Sequence, residues 1–125
     1  GRVINPMVVD GQVIGGVAHG IGNALFGRLL YDENAQLLSG TFADYLLPLA
    51  TDVPRIDLVH LETPSPLNPL GVKGAGEGGT IPAIAAIVSA VENALGSFGV
   101  RIAEAPITPQ RIVELLGEHA LGRAR

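Results

Sequence analysis

The residues with the clearest capacity for chemistry lie in Gly71-Val72-Lys73-Gly74-Ala75-Gly76-Glu77-Gly78-Gly79, where one lysine and one carboxylate are set among five glycines. Glycine lets the backbone approach a ligand closely and aim its N–H groups at an anion. The segment is not a P-loop, because Lys73 precedes the second glycine and no Gly-Lys-Ser/Thr follows. Glu77 stands three residues before a helical pattern whose N-terminal dipole favours the ionised carboxylate, while burial would oppose it. A carboxylate balanced in this way can take a proton as a general base. The same composition also describes a surface loop with a solvated Glu and Lys, and glycine content alone does not separate the two.

A second candidate is Gly11-Gln12-Val13-Ile14-Gly15-Gly16-Val17-Ala18-His19-Gly20-Ile21-Gly22, which places an amide at Gln12 and an imidazole at His19 in a small, apolar segment. Gly16 and Gly20 are four apart, the spacing that lets a neighbouring backbone approach a helix, so close packing is the competing reading. His19 also fits a core histidine, and His60 and His119 are too scattered to form a local metal motif with it. The acidic pairs Asp32/Glu33 and Asp52/Asp57 sit at turns or strand edges and read as solvated. Thr63 to Pro69 contains Ser65 and Asn68 without His or Asp at triad spacing, and reads as scaffold.

Several elements must position these groups. Arg2 to Val9 has the Val and Ile content of a short strand, interrupted by Pro6 and closed by a turn at Asp10-Gly11. From Gln12 to Leu25, Val13, Val17, Ile21, Ala24 and Leu25 recur at helical spacing despite four glycines. Leu29 to Ser39 reads as a hairpin around Asp32-Glu33-Asn34-Ala35, Thr41 to Pro48 as irregular, and Arg55 to Glu62 as a strand bounded by Pro54 and Pro64. Thr63 to Gly79 is a long functional loop. Thr80 is expected to cap a helix with Pro82 in its first turn, apolar nearly all round and therefore buried, ending at Gly96 or Gly99. Thr108-Pro109 opens a last short helix stopping near Gly117, with a frayed tail over Gly122 to Arg125. Short strands with three helices make an α+β fold, in one domain or part of one.

Composition narrows the functional classes. The chain has 125 residues, 47% hydrophobic and 16% charged, which is a globular balance and not that of a disordered chain. A net charge of −4 without a basic block argues against nucleic acid or an anionic membrane surface as partner. The absence of Cys removes disulfides, thiolate metal sites and iron–sulfur ligation from this chain. The longest apolar stretch, Ile81 to Val91, is about half of a membrane-spanning helix. The start at Gly1-Arg2 shows no charged-then-apolar leader, and a cytoplasmic location is expected.

Taken in order, Ile4-Asn5-Pro6, Gly11-Gln12, Gly15-Gly16, His19-Gly20-Ile21-Gly22, Thr41-Phe42-Ala43-Asp44-Tyr45 with Pro48, Pro64-Ser65-Pro66-Leu67-Asn68-Pro69, Gly71-Val72-Lys73-Gly74-Ala75-Gly76-Glu77 and Pro106-Ile107-Thr108-Pro109 form a set. From Val3 to about Leu116 they resemble the C-terminal region of the molybdopterin-binding large subunit in the xanthine dehydrogenase, aldehyde oxidase and carbon monoxide dehydrogenase family.

The resemblance implies that Glu77 matches the family's active-site base, beside a molybdenum carried by a pterin dithiolene, in the oxidative hydroxylation of an aldehyde, a heterocycle or a CO-like substrate. It further implies cofactor contacts at Gln12, Gly16, His19, Gly20, Lys73, Gly74 and Gly76, and a cofactor in the cytosine dinucleotide form. His19 stands where many members have Gln, and Gly27 where many have Glu. Much of the family's pocket lies outside this chain, so the remainder of the subunit is an implied partner, and the isolated chain is expected not to turn over substrate. Iron–sulfur clusters and FAD are implied on partner domains or subunits. Two other classes compete: a binding or assembly module that keeps the scaffold without a complete site, and a phosphate- or nucleotide-binding protein built on the glycine loops.

Overall fold

A computed structural model of the chain describes residues 1–122, with side-chain environments up to residue 117. Three helices carry it: α1 (Pro6–Leu25), α2 (Thr80–Ala94) and α3 (Pro109–Gly122), with a 3-10 turn at Gly96–Phe98. Among the described residues there is no strand ladder, only one antiparallel bridge between Tyr31 and Leu37. The α+β expectation is therefore corrected to a helical segment joined by long irregular connections.

The first correction lies at the start of the chain. The strand expected over Arg2 to Val9 gives way to α1 from Pro6 onward. Asn5 is extended, and its side chain accepts a hydrogen bond from Val8 N at 3.2 Å, while Pro6 takes the first helical turn. Proline there loses no hydrogen bond and brings its φ already set for a helix, so a residue that interrupts a strand instead starts a helix. The helix closes where Phe26 and Gly27 both donate to the Gly22 carbonyl, at 2.9 and 2.8 Å.

The second correction concerns Arg55 to Glu62, which has strand composition but no pairing partner among the described residues. The hairpin over Leu29 to Ser39 survives in minimal form. Asp32 Oδ1 accepts from Asn34 N and Gln36 N, Ala35 takes the left-handed conformation, and Leu38 N donates to Leu30 O.

Helix α2 starts without a side-chain cap: Gly79 is its N-cap, and Thr80 N and Ile81 N both donate to the Glu77 carbonyl at 3.1 Å. Thr80 is thus the first helical residue and not the cap. Nor is the helix buried all round, since only Ala83 is fully covered and Ile81 is 69% exposed. An apolar helix predicts burial, but the described residues do not supply the covering layer. After Leu95 and the 3-10 turn, Gly99 adopts φ 73° and ends the run. Helix α3 opens as its sequence suggests, with Arg111 N donating to Thr108 Oγ1 at 3.2 Å. It runs past Gly117 to Gly122, because one glycine costs a helix only about 1 kcal/mol. Of the frayed tail expected over Gly122 to Arg125, Gly122 still belongs to α3, and the rest lies outside the described residues.

The core is small, made of Ile21, Ala24, Ala83, Val100 and Ile107. It joins the end of α1 to the segment before α3: Ile107 N donates to Ala24 O at 2.6 Å, and both residues are essentially inaccessible. No described helix is long and apolar enough to cross a membrane.

Candidate functional site

The arrangement around Glu77 begins with two small-residue contacts between helices. A Cβ on Gly16 would lie 3.0 Å from both Thr80 N and Thr80 Oγ1, and a Cβ on Gly20 would run into the Ala83 methyl. On the other side of the contact, Gly79 lies against the Val13 carbonyl. Close packing is thus the role of the Gly16 and Gly20 spacing, and it seats the first turn of α2 directly on the middle of α1. Because Glu77 precedes that turn, the packing brings it next to the face of α1 that carries Gln12 and His19.

The loop leading to Glu77 is held as a scaffold. Asn68 clasps Val72 through both amide atoms, at 3.0 Å each way, and the Gly71 carbonyl accepts from Arg2 N at 2.9 Å and Ser65 N at 3.1 Å. Gly71 needs its φ of 68° here, and a Cβ would stand 2.9 Å from that of Pro64. Thr63 to Pro69 therefore does what its composition suggested.

The result is a cleft of about 370 Å³ lined by Gly11, Gln12, Gly15, Gly16, His19, Gly76, Glu77, Thr80 and Ile81. Five of the eight residues singled out from the sequence meet there: Gln12, Gly16, His19, Gly76 and Glu77. The other three stand elsewhere. Gly20 is buried against Ala83. Lys73 and Gly74 line a separate cleft with Arg2, Val3, Val13 and His60, and Lys73 Nζ donates to Thr63 Oγ1 at 3.2 Å. Gly11 and Gly15 also line the cleft. Their signal was positional, since residues 11, 12, 15, 16 and 19 share one face once the helix is known to start at Pro6.

Glu77 sits at the positive end of α2, where a carboxylate is favoured, and it is exposed. The described residues leave it unburied. Gln12 and His19 are exposed too.

No group of three or more His, Cys, Asp or Glu side chains could hold a metal ion among the described residues. An organic group that carries its own metal needs no such cluster. The cleft fits such a group. Gly11, Gly15 and Gly76 have nothing within 4 Å of where a Cβ would stand, so a ligand can lie on bare backbone. Around that surface stand an amide, an imidazole and a carboxylate, a donor and acceptor set suited to a polar heterocycle.

At Gly27, where many members of the resembled family carry Glu, a Cβ would stand 2.6 Å from the Tyr45 hydroxyl oxygen. Tyr45 therefore occupies the space that a side chain at residue 27 would need.

Comparison with known proteins assigns this architecture. The family model described as a molybdopterin cofactor-binding domain matches residues 1–54. The nicotine 6-hydroxylase large subunit of Paenarthrobacter nicotinovorans is 45% identical over 113 residues, which is 90% of this chain and 14% of the relative. The carbon monoxide dehydrogenase large chain of Hydrogenophaga pseudoflava is 36% identical over 121 residues, covering 97% of this chain and 15% of that one. The crystal structure of quinoline 2-oxidoreductase from Pseudomonas putida 86 superposes with a TM-score of 0.91 at 50% identity, over 94% of this chain and 15% of the other. The chain thus spans about one seventh of the length of these relatives. With sequence and fold agreeing along nearly all of it, the chain belongs to the family of molybdopterin-binding large subunits of xanthine dehydrogenases, aldehyde oxidases and carbon monoxide dehydrogenases.

Proposed function

We propose that this segment contributes the general base Glu77 and one wall of the molybdopterin pocket to an enzyme that hydroxylates an electron-poor heteroaromatic ring. The observation that carries the reading is the convergence of Gly76 and Glu77 with Gln12 and His19, about sixty residues earlier in sequence, on one glycine-floored cleft.

In this reading each group has a distinct task. Glu77 holds its carboxylate at the start of α2 and takes a proton from the reacting oxygen. Gln12 offers both a donor and an acceptor to the pterin edge, and His19 a ring nitrogen of either kind. Gly15 and Gly76 let the bound group lie against the backbone. Gly16 and Gly20 act at one remove, by setting the α1–α2 distance on which the cleft depends. Lys73 and Gly74, on the far side of the loop, would meet a more distant part of the same extended cofactor, as its cytosine dinucleotide form would provide. When bound, the molybdenum group supplies the two-electron acceptor. Partner subunits of a cytoplasmic complex would hold the iron–sulfur clusters and FAD that accept those electrons.

Support for the substrate class comes from two highly similar relatives, which are named for nicotine and quinoline, both nitrogen heteroaromatics. Substitution of Glu77→Gln in the assembled large subunit tests the reading. Quinoline turnover should fall by roughly 10²–10⁴-fold, the range expected for loss of a general base, while molybdenum content is kept. Full turnover in the variant would refute the role of Glu77. Oxidation of benzaldehyde but not quinoline would refute the substrate class.

A further inference from the structure

Residues 55–62 combine three properties expected of a strand missing its neighbour. Their composition is that of a strand, bounded by Pro54 and Pro64. Their side chains alternate: Ile56 and Leu58 are half-buried and His60 Nε2 meets Asp10 Oδ1 of α1 at 2.6 Å, whereas Asp57, Val59 and Leu61 face outward. Val59 and Leu61 are 86% and 89% exposed. Finally, none of the main-chain hydrogen bonds among the described residues involves Val53 to Glu62. Main-chain N–H and C=O groups in a folded protein are rarely left without partners over such a length, and a run of them in extended form is a template for another strand.

The charge beside this strand is one-sided. Arg2 and Lys73 line the cleft that Leu58, Val59, His60 and Leu61 also line, and neither basic side chain has a carboxylate partner among the described residues. Asp10, the acidic group nearest His60, is already engaged by it.

We infer that residues 55–62 are an edge strand that is completed by strand addition, and that the occupant is a β-strand from the part of the large subunit outside this segment. That strand carries apolar residues at alternate positions and a carboxylate where it passes Arg2 and Lys73. The relatives supply ample chain for it, since the matched segment is only 14% of the nicotine 6-hydroxylase large subunit. Backbone pairing would provide affinity, and the Arg2 and Lys73 charges would fix register. The inference rests on the proposal that the segment works inside a large subunit, but not on any role for Glu77.

Amide hydrogen exchange resolved residue by residue over 54–62 tests it, comparing this chain alone with the assembled large subunit. In the chain alone these amides should exchange at nearly unprotected rates. In the assembly at least every second amide should slow by about 100-fold or more, as paired strands do. Equal rates in both would overturn the inference. Protection that appears in the isolated chain and grows with its concentration would also overturn it, by giving the edge to a second copy. A Glu77→Gln variant with unchanged turnover but slowed exchange in the assembly would remove the catalytic reading and leave the strand pairing standing.

Discussion

Gly20 of α1 and Ala83 of α2 meet with no room for even one added methyl group, and Ala83 is the only fully buried residue of its helix. This contact fixes how α2 lies on α1 and, through α2, where Glu77 stands. Gly20→Ala should therefore destabilise the chain by about 1–3 kcal/mol, the range for overpacking a close contact. The check is a lowered urea midpoint at unchanged m-value.

Gly15 lies five residues earlier on the same helix, and nothing is within 4 Å of its would-be Cβ. Gly15→Ala should stabilise the isolated chain by about 0.5–1 kcal/mol, because alanine loses less backbone entropy in a helix. In the assembled subunit the same methyl group would intrude on the floor of the cleft. There we expect less bound molybdenum, read by elemental analysis, in a protein that is no less stable.

Asn5 caps α1 through Val8 N. Asn5→Ala should cost about 1 kcal/mol, and Asn5→Asp little, since aspartate caps equally well. Thermal unfolding followed by circular dichroism would show the difference between the two variants.

Glu92 ties the end of α2 to the segment leading toward α3. Its carboxylate accepts from Ile102 N at 2.7 Å and pairs with Arg101 at 3.0 Å. The Ile102 N–H foremost, and then Arg101, hold the Glu92 carboxyl below the ordinary carboxylate range. A group whose pKa is depressed on folding stabilises above its unfolded value, and that contribution disappears as pH falls through the folded one. Stability should therefore drop less steeply on acidification in Glu92→Gln than in the parent chain, with the two curves converging below the carboxylate range. Urea titrations at stepped pH between neutral and acid would trace both.

Much of this was legible from residue types. Thr108-Pro109 announced α3, whereas the same cap-then-proline grammar at Asn5-Pro6, which opens α1, did not stand out. It was obscured because Val3, Ile4, Val8 and Val9 are β-formers on either side, and tertiary packing overrides such preferences. Glu77, Gln12 and His19 stood out by chemistry, but their meeting did not, since it depends on the approach of Thr80 to Gly16. That Lys73 turns to the other side of the loop was equally invisible in spacing. The burial expected of α2 and the strand expected over residues 55–62 are missing for a common reason: both are readings of surfaces that the described residues leave uncovered.

The most direct test is a single-turnover measurement on the assembled enzyme, mixing parent and Glu77→Gln forms of equal molybdenum content with excess quinoline under anaerobic conditions. Reduction of the enzyme should be at least roughly 100-fold slower in the variant, as removal of a general base requires. An equal rate of reduction would contradict the placing of the proton-transfer step at Glu77.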